Sequence, residues 1–146
     1  MVDRFIVRGG RDKFESVPKA FEGISKIGVI GWGSQGPAQA QNLRDTITDL
    51  GLDITVKIGL RAGSASETEA VACGFTEESG TLGEVFEVIS ESDMVLLLIS
   101  DGAQAKLYPR ILAAMKVHNK PLASRARLLS HVCPPVTLVA VPWWTP

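Results

Sequence analysis

Cysteine is nearly missing. Only Cys73 and Cys133 occur, and neither a CxxC pair nor metal-ligand spacing joins them. That scarcity argues against a disulfide framework and makes a reducing compartment the default. Long apolar runs are missing too: the longest aliphatic stretch, Met94 to Ile99, falls far short of the roughly 20 residues a membrane-spanning helix needs. No charge of one sign dominates, since 15 basic residues oppose 16 acidic ones for a net charge of −1. This balance offers no bulk attraction to nucleic acid or to an anionic membrane. The N-terminus lacks an apolar signal core, and Asp3, Asp12 and Glu15 suit a transit peptide poorly. What is present, 45% apolar and 21% charged residues in a chain of 146, reads as one soluble globular domain.

Two further absences divide the chain. All 14 glycines and all 16 acidic residues lie at or before position 116, so residues 117–146 contain neither. That last stretch carries Pro121, Pro134, Pro135, Pro142 and Pro146, with Trp143 beside Trp144. Glycines punctuate a globular fold and acids cover its solvated faces, so their joint loss marks a boundary. Residues 1–116 read as a domain and residues 117–146 as an irregular Pro-rich tail. The tail is a linker or arm on one reading, and sequence foreign to the fold on another.

Within the domain, Lys26 to Ile30 is a β-branched apolar run ending in Gly31-Trp32-Gly33-Ser34-Gln35-Gly36. Pro37 follows where a helix would begin, the position at which a missing N–H costs least. Ala38 to Leu50 has helical spacing and Gly51 stops it; Ile54 to Leu60 alternates as a second strand. A helix over Glu67 to Cys73, a link around Phe75 and a helix over Thr81 to Ile89 come next. Met94 to Ile99 reads as a strand buried on both faces, and Ala103 to Lys116 as a last helix containing Pro109. Strands alternating with helices at this pitch give an α/β fold, a Rossmann-type doubly wound parallel sheet that is incomplete. The missing next strand is expected to leave an apolar sheet edge, because Val117 to Pro135 is poor in N–H donors and Val136 to Val141 is short.

Gly31, Gly33 and Gly36 form GxGxxG between a strand and a helix. In such a turn the first glycine permits the bend and the second admits a pyrophosphate. The third lets helix and strand approach, and the helix N-terminus offers free N–H groups to the phosphates. The second strand ends in Leu60-Arg61, not in the Asp or Glu that holds a ribose 2′-hydroxyl. A guanidinium with Ser64 and Ser66 suits a 2′-phosphate, so NADPH is the expected cofactor; the plainer alternative is a solvated arginine in a Ser/Gly loop. Ser100, Asp101 and Gln104 follow the last strand, where ligands of open α/β sheets bind, although Ser100 or Asp101 also suits a helix N-cap.

Several stretches together resemble plant-type ketol-acid reductoisomerase, also called acetohydroxyacid isomeroreductase. They are Phe5 to Arg11, Ile27 to Leu43, Lys57 to Ser64, and Val95 to Asp101 with Ala103 and Gln104. The resemblance runs from about Phe5 to Lys116. It implies an oxidoreductase of branched-chain amino-acid synthesis, located in plastids, which isomerises 2-acetolactate with Mg²⁺ and reduces the product with NADPH. It further implies that Trp32, Gly33, Ser34 and Gln35 line the cofactor, that Arg61, Ser64 and Ser66 hold the 2′-phosphate, and that Ser100 to Gln104 lie nearby.

The chain departs from that family beyond Lys116. The essential histidine of the family's Ser-His-Gly-Phe motif would fall at Arg125, after Ser124, and Ser130-His131 leads instead into Val132-Cys133-Pro134. No family role is transferred to His131. The helical domain with the acidic Mg²⁺ ligands has no counterpart, so this chain is expected to hold cofactor without catalysing the reaction, and the acetohydroxy acid would bind only if that domain were supplied. All valine codons begin with the bases that open an intron, so Val117 fits read-through of a retained intron; a short splice form and a degraded gene copy fit as well. The second functional class is a stand-alone NADPH-binding module, or the partner of a full-length subunit.

Overall fold

A computed structural model describes residues 17–117 and 137–140. Phe5 to Arg11, Ser124, Arg125, Ser130 and His131 lie outside the described residues. The elements run α1 (Val17–Ala20), β1 (Lys26–Ile30), α2 (Gly36–Asp49), β2 (Thr55–Leu60), α3 (Ser66–Ala72), β3 (Leu82–Glu84), α4 (Val85–Glu91), β4 (Met94–Leu97), α5 (Asp101–Val117) and β5 (Thr137–Ala140). The strands form one sheet in the order β3-β2-β1-β4-β5, every pair parallel.

This order follows from where the apolar residues lie. In β1, Ile27, Val29 and Ile30 are wholly buried, as a strand with helices over both faces requires. Ile27 and Val29 join Val56, Ile58, Ala40, Ile47 and Ala70 in a core beneath α2 and α3. Ile30, Val95 and Leu97 join Val85, Val88, Ile89 and Ile111 in a second core beneath α4 and α5. The helices thus cover opposite faces, and the sheet is doubly wound as read from the sequence.

Three elements differ from that reading. Thr81 to Ile89 is not one helix: Leu82–Glu84 is a strand paired with β2 from Ile58↔Leu82, and the helix starts at Val85. Glu84 makes the change of structure. Its backbone is extended (φ −72°, ψ 147°), and its carboxylate accepts hydrogen bonds from the N–H groups of Phe86 at 2.7 Å and Glu87 at 3.3 Å, an N-cap. β4 is likewise less enclosed than its unbroken apolar run implied. Val95 and Leu97 are buried, but Met94 and Leu96 on the other face are only half-buried.

The third difference lies in the tail. Thr137–Ala140 pairs with the outer edge of β4 in the register Met94↔Thr137 to Leu97↔Ala140. The edge expected to stay open is therefore occupied along all four residues of β4. Thr137 to Ala140 contains no proline, so each residue keeps the N–H that a ladder needs. Pro109, inside α5, removes one helix donor, but both it and Ala105, whose carbonyl it leaves unpaired, are exposed to solvent.

At the opposite end from the glycine turn, charges fasten the strands. The Asp93 carboxylate accepts hydrogen bonds from the Ser25 N–H (2.9 Å), the Ser25 hydroxyl (2.8 Å) and the Lys26 N–H (3.0 Å). Glu91 pairs with Lys26 at 2.9 Å and with the buried Lys57 at 3.1 Å. Hydrogen bonds from Lys26 and then Lys57 hold the Glu91 carboxyl below its ordinary value of 4.5. Because the folded value is the lower one, the pairing stabilises the fold fully above the unfolded carboxyl value and is lost as pH falls through the folded value. Glu91→Gln is therefore expected to lower the melting temperature at about pH 7, with the difference shrinking as the pH falls below the ordinary carboxyl range. The loss at neutral pH is modest, because the Glu91 side chain is 35% exposed and screened by solvent. A melting-temperature difference constant across that pH range would contradict the assignment.

Candidate functional site

The carboxyl ends of β1, β2 and β4 meet where the chain leaves β1 for α2 on one face and β4 for α5 on the other. This is the switch point of a doubly wound sheet, the place at which such folds leave a crevice. A cavity of about 1070 Å³ opens there.

Its floor is the glycine turn. Gly31 has φ +104°, a backbone that suits only glycine well, and its N–H donates to the Gly59 carbonyl at 3.1 Å. A Cβ on Gly31 would sit 2.7 Å from the Leu98 carbonyl oxygen, and one on Gly36 would sit 2.6 Å from the Gly31 carbonyl oxygen. Both positions need glycine for the protein's own packing. Gly33 differs: a Cβ there would meet no protein atom within 4 Å, and the residue lines the cavity. The turn thus leaves its middle glycine bare toward open space, the opening a pyrophosphate would need.

Helix α2 adds the electrostatics. Pro37 occupies its first turn, no acidic residue lies there, and the N-cap residue Gln35 makes no side-chain cap hydrogen bond. The first-turn N–H groups and the positive end of the 14-residue helix dipole are therefore uncompensated by the chain itself.

Of the residues singled out from the sequence, Gly31, Trp32, Gly33, Ser34, Gln35, Arg61, Ser64, Ser66 and Ser100 line the cavity; Gly36, Asp101 and Gln104 do not. Trp32 belongs equally to the core. It is only 6% exposed and meets Phe75 edge-on with ring centroids 5.6 Å apart. Among the described residues its indole N–H has no hydrogen-bond partner. Arg61 is exposed beyond β2, and the turn after it is closed by the Ser64 N–H donating to the Arg61 carbonyl at 3.0 Å. Ser64 in turn accepts a hydrogen bond from the Ser66 N–H at 3.3 Å, which sets both serines beside the arginine. Ser100 serves partly as a cap, its hydroxyl accepting from the Ala103 N–H at 3.4 Å. Gln104 fastens the loop from outside the cavity, donating from Nε2 to the Ile99 carbonyl at 2.9 Å.

The sequence reading missed much of the far wall, where Val85, Leu98, Ile99, Lys106 and Leu107 also line the cavity, and it reached Ala103 only as part of the Ser100 to Gln104 loop. Helical spacing gave a signal for part of it, since Ala103, Lys106 and Leu107 share one face of α5. Among the described residues no Asp or Glu lines the cavity, and its charged side chains are Arg61 and Lys106. Among the described residues no group of three or more His, Cys, Asp or Glu side chains is placed to hold a metal ion, and no helix is long and apolar enough to cross a membrane.

A glycine turn at the switch point of a doubly wound parallel sheet, under an uncompensated helix N-terminus, is the architecture of the Rossmann-type dinucleotide domains. The sequence model described as "Acetohydroxy acid isomeroreductase, NADPH-binding domain" matches residues 23–124, and the chain belongs to that family. Over 130 residues, 89% of this chain, it is 57% identical to chloroplastic ketol-acid reductoisomerases of Pisum sativum and Spinacia oleracea. The NADP(+) ketol-acid reductoisomerase of Xanthomonas axonopodis pv. citri is 43% identical over 88 residues, 60% of this chain and 23% of that protein. The chain spans 22% of the length of each plant relative. The family match passes Lys116, and an alignment of 130 residues cannot fit within the first 116. Likeness therefore reaches into the tail, beyond the boundary that its composition suggests.

Proposed function

We propose that the cavity binds NADPH and that the chain supplies the cofactor half of ketol-acid reductoisomerase chemistry, in which 2-acetolactate is isomerised and reduced to 2,3-dihydroxy-3-methylbutanoate. One observation carries the reading: the bare Gly33 faces a cavity whose charged side chains, among the described residues, are both cations. When bound, the nicotinamide supplies the hydride for the reduction. The chain's own residues do the holding. N–H groups of the turn and of the first turn of α2 meet the pyrophosphate, with Gly31, Trp32, Gly33, Ser34, Gln35 and Gly36 shaping that cradle. Arg61, Ser64 and Ser66 take the 2′-phosphate, and Ser100, in the loop that Gln104 ties to the Ile99 carbonyl and that Asp101 follows at the start of α5, borders the nucleoside. The described residues do not suit Mg²⁺, so no step through the metal is assigned to them, and the acetohydroxy acid needs contacts other than those of this cavity. The chloroplastic relatives support a plastid location.

Arg61 tests the cofactor. Losing its charge-assisted contact costs about 1.5–3 kcal/mol, so Arg61→Ala should weaken NADPH binding by about ten- to a hundredfold and leave NADH nearly unchanged. Fluorescence titration of both cofactors reads this directly. Equal affinities for the two in the wild-type protein would refute the 2′-phosphate site.

A second reading, a self-contained NADPH-binding module, is favoured by one feature: the chain's own β5 covers the edge of β4. Neither reading expects the purified chain to turn over 2-acetolactate with NADPH and Mg²⁺, and measured turnover would contradict both.

A further inference from the structure

We infer that Lys106 is a second phosphate-binding cation of the cavity, meeting the 2′-phosphate of NADPH together with Arg61. The inference rests on the reading of the cavity as an NADPH site.

Lys106 reaches the cavity from α5, one turn beyond Gly102 and Ala103, which line it too. Arg61 enters from the end of β2, so two different elements each bring one cation. Among the described residues neither side chain is engaged in an ion pair or hydrogen bond. Leu60, Val85, Ile99 and Leu107 give the same cavity apolar lining. Apolar lining with a few polar groups suits the faces of a purine and the phosphate joined to its ribose.

Charge balance decides which phosphate. A phosphomonoester carries about −1.5 to −2 charges near neutral pH, and Arg61 supplies one positive charge. Arg61 also borders a second, smaller cleft lined by Glu67, Glu77 and Glu84, whose carboxylates offset its field. One guanidinium so placed leaves a dianion undercompensated. The pyrophosphate has the uncapped N-terminus of α2 and the glycine turn to itself. The 2′-phosphate is therefore the group that lacks a second cation, and among the described residues Lys106 is the other cation lining the cavity.

The test is titration of the full chain and its variants with NADPH and NADH, then with adenosine 2′,5′-bisphosphate and adenosine 5′-monophosphate. Lys106→Ala and Lys106→Gln should each weaken NADPH and the bisphosphate about five- to tenfold, with NADH and the monophosphate changed less than about twofold. Lys106→Arg should restore the NADPH affinity. Equal weakening of NADPH and NADH would move Lys106 to the pyrophosphate and overturn the inference, as would no change in either. Selectivity for NADPH that is lost in Arg61→Ala but intact in Lys106→Ala and Lys106→Gln would leave the cavity reading standing and reject this one. If the wild-type chain binds neither cofactor, the cavity reading itself fails, and the inference falls with it.

Discussion

Gly31→Ala is expected to lower the melting temperature by about 10–20 °C and to abolish NADPH binding. Two costs combine. A non-glycine residue held at φ +104° pays about 1–3 kcal/mol in backbone strain. The added Cβ would also lie 2.7 Å from the Leu98 carbonyl oxygen and 2.9 Å from Ile99 Cγ2, so backbone rather than a yielding side chain must move. A combined loss of about 2.5 kcal/mol corresponds to that temperature shift in a domain of about this size, at about 4–8 °C per kcal/mol. Relief by moving Leu98 would displace the end of β4, which forms one side of the cavity. Thermal unfolding followed by circular dichroism, with NADPH titration below the transition, measures both effects. A variant with wild-type melting and affinity would show that the turn does not have this geometry.

Phe75→Ala is expected to cost about 3–5 kcal/mol, the usual range for removing a buried phenylalanine ring. Phe75 is 1% exposed and joins three parts of the fold. It meets Trp32 of the glycine turn edge-on, and the Arg44 guanidinium of α2 lies 4.8 Å from its ring centroid. Arg44 also donates to the Cys73 carbonyl at 2.7 Å, satisfying the end of α3. Truncating the ring thus leaves a cavity beside Trp32 and frees the cation that ties α2 to α3. Denaturant unfolding should show a clear loss of stability, with Phe75→Leu much milder because it keeps most of the apolar volume. A loss below about 1 kcal/mol for Phe75→Ala would place the ring outside the core.

What was legible in the sequence was local. β1, the glycine turn and the start of α2 are contiguous, and Gly31, Gly36 and Pro37 each announce a backbone that few other residues tolerate. Arg61 was legible because a residue at the end of β2 faces the switch point in any sheet wound this way. Glu84 was not: the spacing of Leu82, Val85, Phe86 and Ile89 fits one helix, and only pairing with Ile58 distinguishes a strand before the cap. β5 depends on contact with β4, far away in the chain, and Val136 to Val141 read as too short to fill that edge. Gln104 looked like a cavity residue by position, yet its amide is spent on the Ile99 carbonyl, a matter of side-chain direction that position does not give. Lys106 was hidden for the same reason, since a lysine on a helix is ordinarily a solvated one.

Gly33→Ala tests the central claim most directly, because it separates what the turn does for the fold from what it does for a ligand. A Cβ at Gly33 meets no protein atom within 4 Å, and the residue does not have positive φ, so the fold has no use for glycine there. If the cavity receives a dinucleotide pyrophosphate, the added methyl intrudes on the closest approach between backbone and ligand. The account predicts a melting temperature within about 2 °C of the wild-type value. It predicts with it an NADPH affinity reduced by about tenfold or more. Undiminished NADPH binding by Gly33→Ala, with the fold intact, would contradict the account.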